Sequence, residues 1–268
     1  MERTLDRSLI VEEASNLRVS WPLVSIALVV GAALAAWEVS VRVARVPVYI
    51  LPAPSVVLGA LAEHWRMYLG AAAVTVGEAV GGLILGMALG IGVGTMITFW
   101  SRLERGVLAL AILIKATPMV AIAPLLIIWF GFGPLPKVLI TALMTFFPVL
   151  VNVHSGLHAV DSELLALLHS LHASRWETYR LARWPSARPY LFAALKVVAP
   201  LSLVGAVVAE WAGASAGLGR TMWLAYANLN LPMLFAAVFC LAALGVAFYS
   251  LVSVWERRAL SWQQADDG

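Results

Sequence analysis

Six stretches of this chain are apolar over about 20 residues or more, and that repetition constrains the fold more than any other feature. They lie near Trp21–Val41, Gly70–Phe99, Gly106–Phe130, Lys137–Leu157, Tyr190–Glu210 and Leu231–Trp255. A bilayer's hydrocarbon core is roughly 30 Å thick, so a helix needs about 20 apolar residues to cross it. Inside lipid the backbone must pair its own N–H and C=O groups, which makes such runs helical. Composition agrees: 62% of the 268 residues are hydrophobic and only 12% are charged, against about 25% charged in a soluble domain. So few charges would leave large apolar patches in water. The reading is an all-α membrane protein with about six transmembrane helices. It excludes a disordered chain and argues against a cytosolic enzyme.

Cys240 stands alone, which excludes a disulfide framework and a cysteine-based metal site. The first 20 residues mix Glu2, Asp6, Glu12 and Glu13 with three arginines, unlike a cleaved signal peptide. Orientation follows from lysine and arginine placement. With the N-terminus in the cytoplasm, that side holds 11 of them (Arg3, Arg7, Arg18, Arg102, Arg105, Arg175, Arg180, Arg183, Arg188, Arg257, Arg258) and the other side 5 (Arg42, Arg45, Arg66, Lys137, Arg220). An even number of spans with both termini inside satisfies this count. The expected organisation is a cytoplasmic tail over 1–20, a first span and external segment over 21–69, a five-span core over 70–258, and a cytoplasmic tail over 259–268. Pro118 and Pro124 fall inside the third span, which is therefore expected to kink or to begin as a separate short helix.

The polar stretch 158–188, inside the core, is too long for a simple connector. Leu164, Leu165, Leu168 and Leu171 recur at helical spacing, with Asp161 or Ser162 as cap. A second short helix is expected from Ser174 to about Leu181, ended by Trp184-Pro185. The segment reads as an amphipathic helix–turn–helix on the cytoplasmic face, with arginines on its polar side. It suits either an anionic lipid surface or a groove on a partner protein.

Gly82, Gly86, Gly90 and Gly94 share one face of the second span. In lipid, small residues let backbones approach closely. That face serves packing within the chain, or a second subunit or moving helix. Charged residues inside spans are costly and mark function by default. Glu78 and Lys115 are expected to form an internal pair or to line the pathway. Glu210 is expected at the outer mouth, held by backbone amides of the Gly217-Leu218-Gly219 loop or facing a partner. Glu38 and Lys196 are near enough to the interfaces to snorkel. His154 and His158 lie one turn apart, yet no acidic cluster completes a tetrahedral site, so no metal site is assigned. No nucleophile–base constellation points to catalysis. No Gly-x-x-x-x-Gly-Lys-Ser/Thr phosphate loop occurs in the sequence, so this chain is not expected to bind ATP.

Several stretches carry a resemblance. Laid on the permease subunits of bacterial ABC importers, the family's Glu-Ala-Ala run falls at Ala166-Leu167-Leu168, its glycine at His172, and its Ile-x-Leu-Pro ending at Ala182-Arg183-Trp184-Pro185. The spacing to the proline is kept, while several signature residues differ. Tyr49-Ile50-Leu51-Pro52-Ala53-Pro54-Ser55, Thr117–Leu125 with Trp129-Phe130-Gly131-Phe132-Gly133, and Val208-Ala209-Glu210 with Gly217-Leu218-Gly219 resemble the nitrate, sulfonate and taurine permease subfamily. That subfamily also includes permeases for hydroxymethylpyrimidine and riboflavin. The resemblance covers roughly residues 48–258. It implies a type I importer permease fold with a cytoplasmic coupling helix–turn–helix between spans 4 and 5. It implies two permease copies in a homodimer, a separate ATPase subunit carrying ATP and Mg, and an extracytoplasmic binding protein. It places the protein as a multi-pass component of the bacterial inner (cytoplasmic) membrane, with no nucleic-acid partner. The implied activity is ATP-driven import of a small solute: a sulfonate, taurine or nitrate-like anion first, a vitamin or its precursor second. An ion-coupled secondary transporter is the rival reading, but no internal repeat supports it. The expected ATPase-coupling residues are Leu168, His169, Ser170, Leu171, His172, Ala173, Ser174, Arg175 and Trp176. Arg175 is expected to pair with a carboxylate of the ATPase, and Trp176 to be a buried anchor there or an anchor at the membrane interface. The pathway candidates are Glu78, Lys115, Trp129, Asn152 and Glu210.

Overall fold

A computed structural model describes residues 5–261, and these residues form helices and short connections. Residues 1–4 and 262–268, the ends of the two expected tails, lie outside the described residues. Helix α1 runs Leu5–Val43, so the segment expected as a tail continues directly into the first span. Then come α2 (Pro54–Glu63), α3 (Trp65–Phe99), α4 (Ser101–Ala116), α5 (Met119–Phe130) and α6 (Pro134–His158). A hairpin follows, made of α7 (Ser162–Ser170) and α8 (Arg175–Thr178). After a π-helical turn over Tyr179–Arg183 the chain enters α9 (Trp184–Gly213), then α10 (Leu218–Ala227) and α11 (Leu231–Ala259).

The expected spans match α1, α3, the α4–α5 pair, α6, α9 and α11. The third is broken: α4 and α5 meet at 92°. Pro118 explains the break. It removes a backbone donor and forces Thr117 into extended geometry, with ψ at 128°. Trp184-Pro185 does not end the second short helix as expected. Pro185 sits in the first turn of α9, where a proline's missing N–H is tolerated. The π-turn just before it carries α8 into α9 without a stop.

Contacts of the glycine face settle how many times the chain crosses the membrane. Gly82 packs on Thr141, Gly86 on Thr145, Gly90 on Val149 and Gly94 on Val153. Both numbers rise together, so α3 and α6 run parallel. The α4–α5 pair between them must return the chain to the side where α3 began, and so crosses once. Helix α9 runs antiparallel to α6, since Gly156 meets Ala187 while Gly205 meets Thr141. Helix α11 runs antiparallel to α9, since Phe192 meets Trp255 while Pro200 meets Gly245, and Lys196 pairs with Glu256 at 2.8 Å near the first of these. Six crossings result. The hairpin therefore lies on the same side as the described start of α1 and end of α11.

The core lies where α3, α6 and α9 meet, around Val149, Val153, Leu195 and Val198 on the hairpin side and Ala79, Leu203 and Ala206 nearer the other end. The glycine face is packed within the chain, against α6. A Cβ at Gly90 would stand 2.8 Å from Val149 Cγ1, which only glycine avoids.

Candidate functional site

The hairpin is built by local chemistry. Asp161 caps α7, its carboxylate accepting from Glu163 N at 2.9 Å. At the far end His172 adopts φ +55°, the left-handed conformation expected of a glycine there. His172 N donates to His169 O at 3.0 Å, and Ala173 N to Leu168 O at 2.9 Å. This double bond pattern is the Schellman turn, with histidine at the position glycine usually takes. The turn expected at His172 is thus made without glycine. Ser174 then opens α8 with a capping box: its hydroxyl accepts from Glu177 N at 3.2 Å, and the Glu177 carboxylate accepts from Ser174 N at 2.7 Å. Hydrogen bonding to the carboxylate from the Ser174 hydroxyl, and next from the Ser174 backbone N–H, holds the Glu177 carboxyl below its ordinary range.

Leu168 to Trp176 thus form one continuous elbow. Leu171 is 68% exposed at its tip. Ser170 Oγ donates back to Leu167 O. Arg175 is exposed, and His169, Ala173 and Arg175 face a shared cleft with the ends of α3 and α6. Trp176 is 60% exposed, yet one face is fixed against Phe99 and Tyr179. Tyr179 in turn hydrogen-bonds Thr95 in α3 at 3.1 Å. The hairpin is therefore fastened to the end of α3 by an aromatic stack.

The pathway candidates do not form one group. Glu78 and Glu210 are together, buried where α3 and α9 approach each other. Glu210 accepts from Thr75 Oγ1 at 2.7 Å and from Gly219 N, so the expected bond to the glycine loop is present. Thr75 Oγ1 also accepts from Leu218 N at 2.8 Å. A Cβ on Gly217, whose φ is +108°, would collide with the Glu210 carboxylate. The two glycines let the start of α10 close over that carboxylate.

The expected Glu78–Lys115 pair is not formed. Lys115 is exposed at the end of α4, with its ammonium 4.6 Å from the Phe147 ring centroid. The cation near Glu78 and Glu210 is instead Lys137, which sequence reasoning placed in an outer loop. Lys137 is buried, and its Nζ donates to Phe132 O at 2.7 Å and Gly133 O at 2.9 Å. One signal could have found it: a lysine in a helix's first turn opposes the macrodipole and needs a local reason. Trp129 is exposed on the rim of an apolar recess of about 500 Å³ with Leu85, Phe130 and Phe146. Asn152 spends its amide on Pro148 O at 2.8 Å. The His154 and His158 rings lie 4.4 Å apart, tilted by 56°, and His154 meets Glu104 at 3.2 Å. No group of three or more metal-ligating side chains occurs among the described residues.

Six crossings, a hairpin that interrupts the core on one side, and a polar cluster closing the other end define a polytopic helical membrane protein. The chain belongs to the family described as "binding-protein-dependent transport system inner membrane component", whose profile matches residues 65–261. It is 31% identical over 230 residues to the formylaminopyrimidine transport permease protein ThiX of Halalkalibacterium halodurans, covering 85% of this chain and 91% of that one. It is 30% identical over 270 residues to the riboflavin transport system permease protein RibX of Chloroflexus aurantiacus, covering 98% and 99%. A chain of the MetNI methionine ABC transporter, solved in inward-facing conformations, shares the fold. Its TM-score is 0.65 at 17% identity, over 73% of this chain and 97% of that one. The protein is a transmembrane permease subunit of an ABC importer, a transport component and not itself a catalyst.

Proposed function

We propose that the hairpin Leu168–Trp176 is the docking elbow for a separate ATPase subunit, which carries ATP and Mg. Two copies of this permease and an extracytoplasmic binding protein complete the importer. The membrane is the bacterial inner membrane, with both termini and the hairpin in the cytoplasm. The observation that carries the reading is the hairpin itself. Its tip presents Leu171 and Trp176 to solvent while its base is locked to α3 through Phe99 and Tyr179. A push on the tip is therefore transmitted to a span rather than lost in a loose loop. Nucleotide does work here only through its differential affinity for the two conformations.

The cargo is a small solute selected mainly by the binding protein. A sulfonate or similar anion and a vitamin precursor both fit this chain, and the ThiX and RibX names support the second. The test is a pull-down from gently solubilised membranes, read by mass spectrometry. An ATPase at about one copy per permease is the expected result. A chain isolated alone, with uptake that survives ATP depletion and collapses with the ion gradient, would overturn it. Replacing both Arg175 and Trp176 by alanine is expected to uncouple ATP hydrolysis from uptake in a folded chain. Unchanged uptake would reject the elbow.

A further inference from the structure

A cleft of about 430 Å³ lies on the hairpin side, between the end of α3, the start of α4, the end of α6 and the elbow. Arg175, Arg183, His158 and His169 line it, and no carboxylate does. The nearby acids are engaged elsewhere: Glu104 with His154, Asp161 on the first turn of α7, and Glu177 on Ser174. Arg183 is held in the wall by one bond, Nη1 to Leu157 O at 3.2 Å, which leaves the rest of its fork available. Ser101 also lines the cleft at the start of α4, a 16-residue helix with no side-chain cap, so its positive end adds to the field. Phe99 gives the same cleft an apolar wall, stacked on Trp176.

Two guanidiniums beside an aromatic wall, where spans leave the apolar layer, match a charged headgroup with its acyl chains still in the bilayer. Basic pockets between transmembrane helices on the cytoplasmic side recognise anionic lipid headgroups. Guanidinium forks suit the oxygens of a phosphodiester. We propose that this cleft binds the phosphodiester headgroup of an anionic phospholipid from the adjoining leaflet. The headgroup then bridges the elbow, through Arg175, to the start of α9, through Arg183. Lipid occupancy would set how firmly the elbow is seated.

The test is native mass spectrometry of the full chain in detergent. Matched-chain phosphatidylglycerol and phosphatidylcholine are added separately, and orthophosphate is added as a competitor. The wild type is expected to retain phosphatidylglycerol at a concentration where phosphatidylcholine is not retained. Arg175→Gln with Arg183→Gln is expected to lower that retention about tenfold, and Arg183→Lys to lower it less. Should the double variant not fold, the exposed Arg175→Gln alone carries the comparison. Equal retention of both lipids, or undiminished retention by the glutamine variants, overturns the proposal. Orthophosphate retained alone and displacing the lipid would assign the site to a free anion and equally overturn it. Arg175 is shared with the docking elbow, so the measurement is made without the ATPase: failure of lipid retention leaves the docking assignment standing, and failure of docking leaves the lipid result standing.

Discussion

Single residues hold the two functional ends in shape. His172 occupies a left-handed position in which a side chain costs roughly 1–2 kcal/mol and a β-branched one is an outlier. His172→Val is therefore expected to destabilise the elbow by about that amount relative to His172→Gly, read from thermal unfolding in detergent. Equal midpoints would mean that the turn relaxes. Acidification offers a second probe of the elbow. Because the Glu177 carboxyl is held below its ordinary range, the capping box contributes stability above that range. The contribution is lost as pH falls through the lowered value. Hydrogen exchange of amides 175–183 should accelerate on acidification beyond the chemical rate, and Glu177→Ala should remove that pH dependence. At the other end, Gly217→Ala forces a methyl onto the Glu210 carboxylate from a backbone conformation open almost only to glycine. A loss of about 2 kcal/mol or more is expected. Gly77→Ala faces open space and should fall within about 1 kcal/mol, on the stabilising side.

At the scale of elements, α3 against α6 is the interface that leaves least room. Gly86→Val should drive a side chain into Thr145 and Ala142 and cost about 1–3 kcal/mol, whereas Gly92→Ala meets nothing. Unfolding midpoints of the two variants give the comparison, and equal midpoints would show that the helices can part without cost. That stripe was legible because four glycines at i, i+4 spacing define a face. The spans were legible because lipid demands long apolar runs, and the α7 cap and turn because the Asp161 and Ser174 signals are local. Helices α2 and α10 were not read, each being ten residues beside longer apolar runs. The π-turn at Tyr179–Arg183 was not read either, since nothing in the residue pattern distinguishes it from α-helix. It is the feature that lets Trp184-Pro185 continue a helix instead of ending one. The Glu78–Glu210–Lys137 grouping escaped for a different reason. It depends on which helix is parallel to which, and Glu78 with Lys115 is an equally good pairing until the course of α4 is known.

The whole molecule turns on that bend. Helices α3 and α6 are parallel, so the α4–α5 segment must cross the membrane in spite of its 92° angle. Were it a re-entrant loop, α6 would start on the side where α3 ends, and the constant register from Gly82–Thr141 to Gly94–Val153 could not form. The crossing also fixes the division of labour between the two ends. It puts the elbow, the basic cleft and Lys196–Glu256 toward one side, and Glu210, Gly217 and α10 toward the other. The consequence is a labelling pattern in membrane vesicles, using impermeant thiol reagent and a Cys240→Ala background. Cysteines at Ser101 and His169 should react from the same side, and cysteines at Phe132 and Tyr49 from the opposite one. All four positions are exposed, so burial does not decide the result. Reaction of Ser101→Cys and Phe132→Cys from one side would make α4–α5 re-entrant and reduce the crossings to five. The elbow would then lie opposite the start of α1, and the ATPase docking proposed for it would fail with the topology.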